Sequence, residues 1–227
     1  MEIRGQDEDL SWSDRLEPER MVASVKQATG FGPDREIAEV AFSEAEVQFV
    51  EAAKLKDVDA RRDAFAEAAK NYKTAARRWP DSTLEEDALF MLSESYFFAD
   101  RYPKAANTYE ELVKKYPNTR HMDTVDQRRF ALAQYWVEHH QKNPDTRVTP
   151  NLFAKDRPLF DKFGNGVRVL DKIRFDDPTG KLADDATMAA GLAQFKQGNY
   201  LRADELFADL RRSFPDSEHQ LRAHLLG

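Results

Sequence analysis

The chain contains no cysteine, which excludes disulfide staples and thiolate metal sites. That absence suits an oxidising and a reducing compartment equally. No run of Lys/Arg exceeds two residues and the net charge is −7. Neutralising phosphates takes a basic stripe, so no nucleic-acid partner is expected. No stretch approaches the roughly 18 consecutive apolar residues of a membrane-crossing helix, and the polar, acidic opening Met1–Glu19 does not read as a signal peptide. His-Glu-x-x-His spacing is missing, and Gly164-Asn165-Gly166 lacks the Lys-Ser/Thr of a phosphate loop. The adjacent pair His139-His140 points about 100° apart on a helix and cannot easily share a metal. No serine, histidine or lysine arrangement supports a nucleophile. The expectation is a non-enzyme without cofactor or metal.

What the chain does contain is a recurring block. Ala105, Tyr109, Leu112 and Pro117 fall at the same offsets as Ala203, Phe207, Leu210 and Pro215. Ala68, Tyr72, Ala75 and Pro80 form a further copy, and Gly166, Leu170, Ile173 and Pro178 another. A small residue, then a large one four later, then a closing proline resembles the second half of a tetratricopeptide repeat. That resemblance implies an all-α superhelix of antiparallel helix pairs, with four repeats and the start of a fifth. Its partners would be proteins or peptides.

Apolar residues make up 41% of the 227, too many for a disordered chain, and 33% are charged, which suits a molecule with much surface. Residues 1–32 read as a flexible polar leader and 33–227 as the repeat domain. Gly30-Phe31-Gly32-Pro33-Asp34 breaks the chain before the first helix. Ala38, Ala41, Phe42, Ala45, Phe49 and Ala52 recur at helical spacing, and a partner helix is expected from about Asp59 to Trp79. The repeats span about 35–80, 81–117, 118–178 and 179–215, with a partial copy at 216–227. In the second, Ser82 and Glu85 form a capping box, Asp100-Arg101-Tyr102 turns the chain, and Leu89, Leu92, Ser93 and Tyr96 pack inward. The third first helix, about Met122–Gln141, carries Phe130, Ala131, Ala133, Tyr135 and Val137. Its partner is expected from about Gly166. The closing prolines are 37, 61 and 37 residues apart, so roughly 24 residues are inserted in the third repeat, at about 142–163. Gly227 falls midway through a first helix, which suggests a truncated piece or a further repeat beyond it.

Trp79-Pro80-Asp-Ser, Tyr116-Pro117-Asn-Thr and Phe214-Pro215-Asp-Ser, with an insertion in the third repeat containing Phe153-Ala-Lys-Asp156-Arg157, resemble the BamD type of outer-membrane β-barrel assembly lipoprotein. The resemblance covers about Pro33 to Gly227. It implies a non-catalytic scaffold at the periplasmic face of the outer membrane, contacting assembly subunits and unfolded barrel precursors. Membrane attachment would come only through a lipid anchor not carried by residues 1–227. Two alternatives stay open: a soluble periplasmic repeat scaffold in envelope division or trafficking, and a repeat domain cut from a larger protein.

First helices line the groove of such a stack, so their residues not needed for packing are ligand candidates. In the second repeat these are Phe90, Glu94, Phe97 and Phe98, with three phenylalanines on a face expected to be wet. In the fourth they are Met188 and Phe195. The opposing reading is that the insertion or the leader folds over and buries them. The carboxylate pairs Glu85-Glu86, Asp176-Asp177 and Asp184-Asp185 read as mostly helix-start charges rather than acid/base couples.

Overall fold

The computed structural model describes residues 32–144 and 150–227, and the expected leader, residues 1–31, lies outside them. The described residues form nine α-helices and no strand. They are α1 (Arg35–Lys54), α2 (Val58–Arg78), α3 (Thr83–Phe98), α4 (Tyr102–Lys115), α5 (Met122–Lys142), α6 (Lys162–Asp176), α7 (Ala183–Lys196), α8 (Tyr200–Ser213) and α9 (Gln220–Leu226). Consecutive helices pair as α1/α2, α3/α4, α5/α6 and α7/α8, and each pair stacks on the next. The core is accordingly a chain of neighbouring apolar clusters along the stack.

Each boundary has a local cause. Asp34 and Asp57 accept from the Ile37 and Ala60 amides at 3.0 and 2.8 Å, capping α1 and α2. Ser82 caps α3 through the Glu85 amide at 3.1 Å. The reciprocal half of the expected box is displaced by one residue: Glu85 accepts from the Asp81 amide at 2.6 Å. The second helices end alike. Trp79, Tyr116, Asp177 and Phe214 each donate their amide to a carbonyl four residues back, and proline follows.

The turns inside the second and fourth pairs are copies. Arg101 N donates to Tyr96 O and Asn199 N to Gln194 O, with Asp100 and Gly198 in the left-handed region at φ 53° and 79°. Glycine is the cheaper residue there. Asp100 accepts instead from Tyr102 Oη at 3.0 Å and from Arg62 of the first pair, contacts that a glycine could not make.

The third pair departs most from expectation. Its inward face carries Val125, Leu132, Ala133, Trp136 and Val137, whereas Ala131 and Tyr135 are exposed. Those two are four residues apart and share the stripe opposite the core. Helix α6 begins four residues before Gly166, because Asp161 accepts from the Gly164 amide at 2.8 Å. The insertion therefore spans 143–161. Helix α9 begins at Gln220, four residues after the partial copy expected to open at 216.

Close approach explains the small positions. A Cβ on Gly166 would meet Val137 Cγ2 at 2.8 Å and Ala133 O at 3.0 Å. One on Gly191 would meet the Phe207 ring at 2.6 Å. Between α4 and α5, by contrast, the backbones approach less closely, and the second pair meets the third through Tyr109, Leu112, Val113, Val125 and Leu132 together with polar contacts.

Two predictions follow from this packing. Gly191→Ala should lower stability by about 1–3 kcal/mol in chemical denaturation, because the Phe207 ring is fixed in the core. Asp126 is held above the usual carboxylate range, at about 6, chiefly by burial, with Asp177 and Asp176 adding to it and Arg129 opposing. A raised folded value gives stability that is full below the unfolded value of about 4 and is lost as pH rises through about 6. Thermal melts of Asp126→Asn against wild type should diverge in favour of the variant between pH 4 and 7. A constant difference would remove Asp126 as the cause.

Candidate functional site

At this joint, α3, α4 and α5 meet around one buried carboxylate. Arg128 of α5 donates Nε to Glu94 Oε1 and Nη2 to Oε2, both at 3.0 Å. The buried Tyr109 hydroxyl of α4 donates to the same carboxylate. Burial and the Glu94 charge both raise the Tyr109 phenol well above its ordinary value, so it stays a donor. The Arg128 guanidinium carbon lies 4.8 Å from the Phe97 ring centroid and 5.2 Å from that of Phe98, within cation–π range. Bidentate geometry and a third donor satisfy a charge that would otherwise be costly to bury.

This arrangement corrects several groove expectations. Glu94 is buried and fully engaged. Arg128 lies over Phe97 and Phe98 from one side, and Phe98 packs on Phe65 and Phe49; Phe97 is half-buried, while Phe98 stays 38% exposed, as expected. Phe90 stacks on His121, centroids 4.0 Å apart and planes 3° from parallel. Met188 is 2% exposed, in a cluster with Ala203, Phe207 and Leu210. Phe195 is half-buried against Tyr200. The six residues are thus not gathered into one open groove. A helical wheel of one repeat cannot display side chains arriving from the next.

Glu85-Glu86 and Asp184-Asp185 stand in the first turns of α3 and α7, as the sequence suggested, and acids at these helix starts also bind the closing loops. Thr119 Oγ1 donates to Glu86 at 2.6 Å, and His121 Nε2 lies 2.9 Å from Asp87. Ninety-eight residues later, Ser217 Oγ donates to Asp184 at 2.6 Å and His219 Nε2 lies 2.7 Å from Asp185. These are matching clasps between the closing loop of one pair and the first helix of that pair. Asp176 and Asp177, read as part of the helix-start set, instead end α6, where Asp176 accepts from the buried Arg129 at 2.7 Å. Among the described residues, Asp185, Glu218 and His219 have ligand atoms within 4.8 Å of one another. The sequence showed no such group, because its members come from α7 and the loop before α9. Arg120 fills the corresponding place at the other clasp, bonded to Asp87.

The residues overlooked in the sequence lie at the edge of the stack where the links within pairs converge. Here the insertion is tied down at many points. Asn151 Nδ2 donates to Ala154 O and Arg157 O, and Asn151 Oδ1 accepts from the Ala154 amide. Trp136 Nε1 donates to Asp156 O at 2.9 Å, and Tyr135 Oη donates to the Asp156 carboxylate. Lys162 Nζ reaches Asn143 O at 2.8 Å, closing the base of the loop. From this fixed frame Phe153 projects with 93% of its surface exposed. It lines a cleft of about 610 Å³ with Asp59, Arg62, Arg101, Tyr102, Tyr135 and Lys155. Edge-on and tilted ring contacts run from Phe98 through Phe97 and Tyr102 to Tyr135, linking the buried network to the cleft.

A family model described as tetratricopeptide repeat matches residues 87–119 and 185–217. The chain therefore carries tetratricopeptide repeats in an all-α superhelix, a class that typically binds proteins and is typically non-catalytic. No curated protein matches it. The matched stretches include Glu94 and Tyr109 but stop short of Arg128 and the insertion.

Removing one partner of the buried network should be costly. Glu94→Gln is expected to destabilise by about 2–3 kcal/mol in urea titration, discounted for the partial exposure of Arg128. Glu94→Leu combined with Arg128→Met should recover much of that loss. A harmless Glu94→Gln would show that the joint does not rely on this charge pair.

Proposed function

We infer that this chain is a non-catalytic scaffold that receives an extended polypeptide at the edge cleft, in the manner of the outer-membrane β-barrel assembly lipoproteins it resembles. On this reading its partners are assembly subunits and unfolded barrel precursors, and its place is the periplasmic face of the outer membrane. Support comes from the position of the insertion within the third repeat and from its Phe153-Ala-Lys-Asp156-Arg157 element.

The observation that carries the reading is the exposure of Phe153 on a backbone that is otherwise locked. An aromatic ring left in water on a mobile loop would lose much of its binding energy to ordering. Held in place by Asn151, Trp136 and Tyr135, it is pre-organised for a partner side chain. Tyr102 and Tyr135 supply further apolar wall. Arg101 and Lys155 form no ion pair among the described residues, so their charges are available to a ligand. Nothing in this arrangement moves protons or bonds; its chemistry is surface complementarity.

Fluorescence anisotropy with a labelled peptide from the C-terminal strand of an outer-membrane barrel tests the reading. Phe153→Ala should weaken binding at least about tenfold while leaving the melting temperature unchanged. Full affinity in the folded variant would refute the cleft. Equal binding of a scrambled peptide would refute the barrel-precursor assignment.

A further inference from the structure

Helix α1 has two apolar faces, and among the described residues only one of them is covered. Ala38, Ala41, Ala45 and Ala52 are buried against the rest of the stack. Ile37, Val40, Val47 and Val50 are 41–64% exposed on the other side. Branched residues lose side-chain freedom in a helix, so helix propensity does not explain three valines and an isoleucine in water. Glutamates surround them. Glu39 pairs with Arg35 and Glu51 with Lys54, while Glu36, Glu44 and Glu46 have no ion-pair partner among the described residues.

The position of this face in the stack matters. Later first helices receive the preceding second helix: α3 packs closely on α2 and α7 on α6, while α5 meets α4 less closely. Helix α1 has no such neighbour among the described residues, and the terminal face of a repeat stack needs a cover. Immediately before α1 the sequence reads Phe31-Gly32-Pro33-Asp34, one residue longer than the closing Trp79-Pro80-Asp81 and Phe214-Pro215-Asp216. The residues before it hold the sequence position of a preceding second helix. Residues 20–31 contain Arg20 and Lys26, no acid, and the apolar Met21, Val22 and Val25. Their exit point is fixed, because Asp34 N donates to Arg78 O at 2.6 Å and Arg78 Nη1 to Gly32 O at 3.1 Å. Twelve residues can extend to about 40 Å, ample for the roughly 20 Å between Ile37 and Val50.

We propose that the Ile37–Val50 face of α1 is the docking surface for residues 20–31 of the same chain, apolar side chains on the valine stripe and the two cations among the glutamates. The match of charge and the tether at Gly32 favour this segment over a second copy, whose own α1 would bring like charges together.

Limited trypsin digestion of residues 1–227 provides the test, with Arg4 and Arg15 as internal references. In wild type, cleavage after Arg20 and Lys26 should be at least about tenfold slower than in Val40→Glu/Val47→Glu, with the reference sites unchanged. Both substitutions are at exposed positions, and an unaltered helical circular dichroism spectrum confirms folding. Equal rates at Arg20 and Lys26 in the two proteins would overturn the proposal. So would a doubled mass by light scattering that the double substitution abolishes, since the face would then belong to a second copy.

Discussion

The joint between the second and third pairs is organised around one buried carboxylate. The backbones of α4 and α5 approach less closely than those of other neighbours, and Tyr109, Leu112, Val113, Val125 and Leu132 fill the space between them. Between the second and third pairs, Glu94 gathers Tyr109 from its own repeat and Arg128 from the next. Burying a charge is worthwhile only when its lone pairs are satisfied and its counter-charge is well placed. Both conditions hold, and the phenylalanines beneath the guanidinium keep water from one side of it. This contact reinforces a joint that Leu112, Val113, Val125 and Leu132 also close with hydrocarbon.

The joints along the stack consequently differ in kind. The first and second pairs share an aromatic and alanine-rich seam around Tyr72, Phe42 and Leu92. The third and fourth meet through Leu170, Ile173, Ala186 and Leu206. Within the second and fourth pairs, the hydroxyl and histidine clasps fix the closing loops. In a quasi-linear molecule each joint contributes nearly independently, and the joint between the second and third pairs adds a buried ion pair to its apolar cluster.

Repetition at fixed offsets was enough to read helix pairs, turns and small positions from the chain. Gly191 against Phe207, and the matched turns at Asp100 and Gly198, follow from that periodicity. The candidate site was much less legible. Phe98 is exposed as read, but the contact of Arg128 with Phe97 and Phe98 was hidden, because Arg128 lies about thirty positions away on another repeat. Glu94 looked like a surface acid because its partners could not be assigned without the superhelical geometry. Met188 misled in the opposite way: apolar periodicity does not say which side of a first helix meets the next pair. Phe153 stood within a recognisable element, but its exposure arises from Asn151 and Trp136 bonds that no periodic pattern encodes.

The link between α5 and α6 runs over residues 143–161, whereas the link between α1 and α2 is residues 55–57. Both pairs nevertheless pack closely. Loop-closure entropy grows only with the logarithm of length, so the longer link costs roughly 1.6 kcal/mol more, and the Asn151 contacts offset part of that. Link length is thus nearly decoupled from the stacking rule. Evolution can lengthen, shorten or replace material along this one edge without renegotiating the helices, which makes it the cheap place for a lineage of such proteins to diversify while the superhelix stays unchanged.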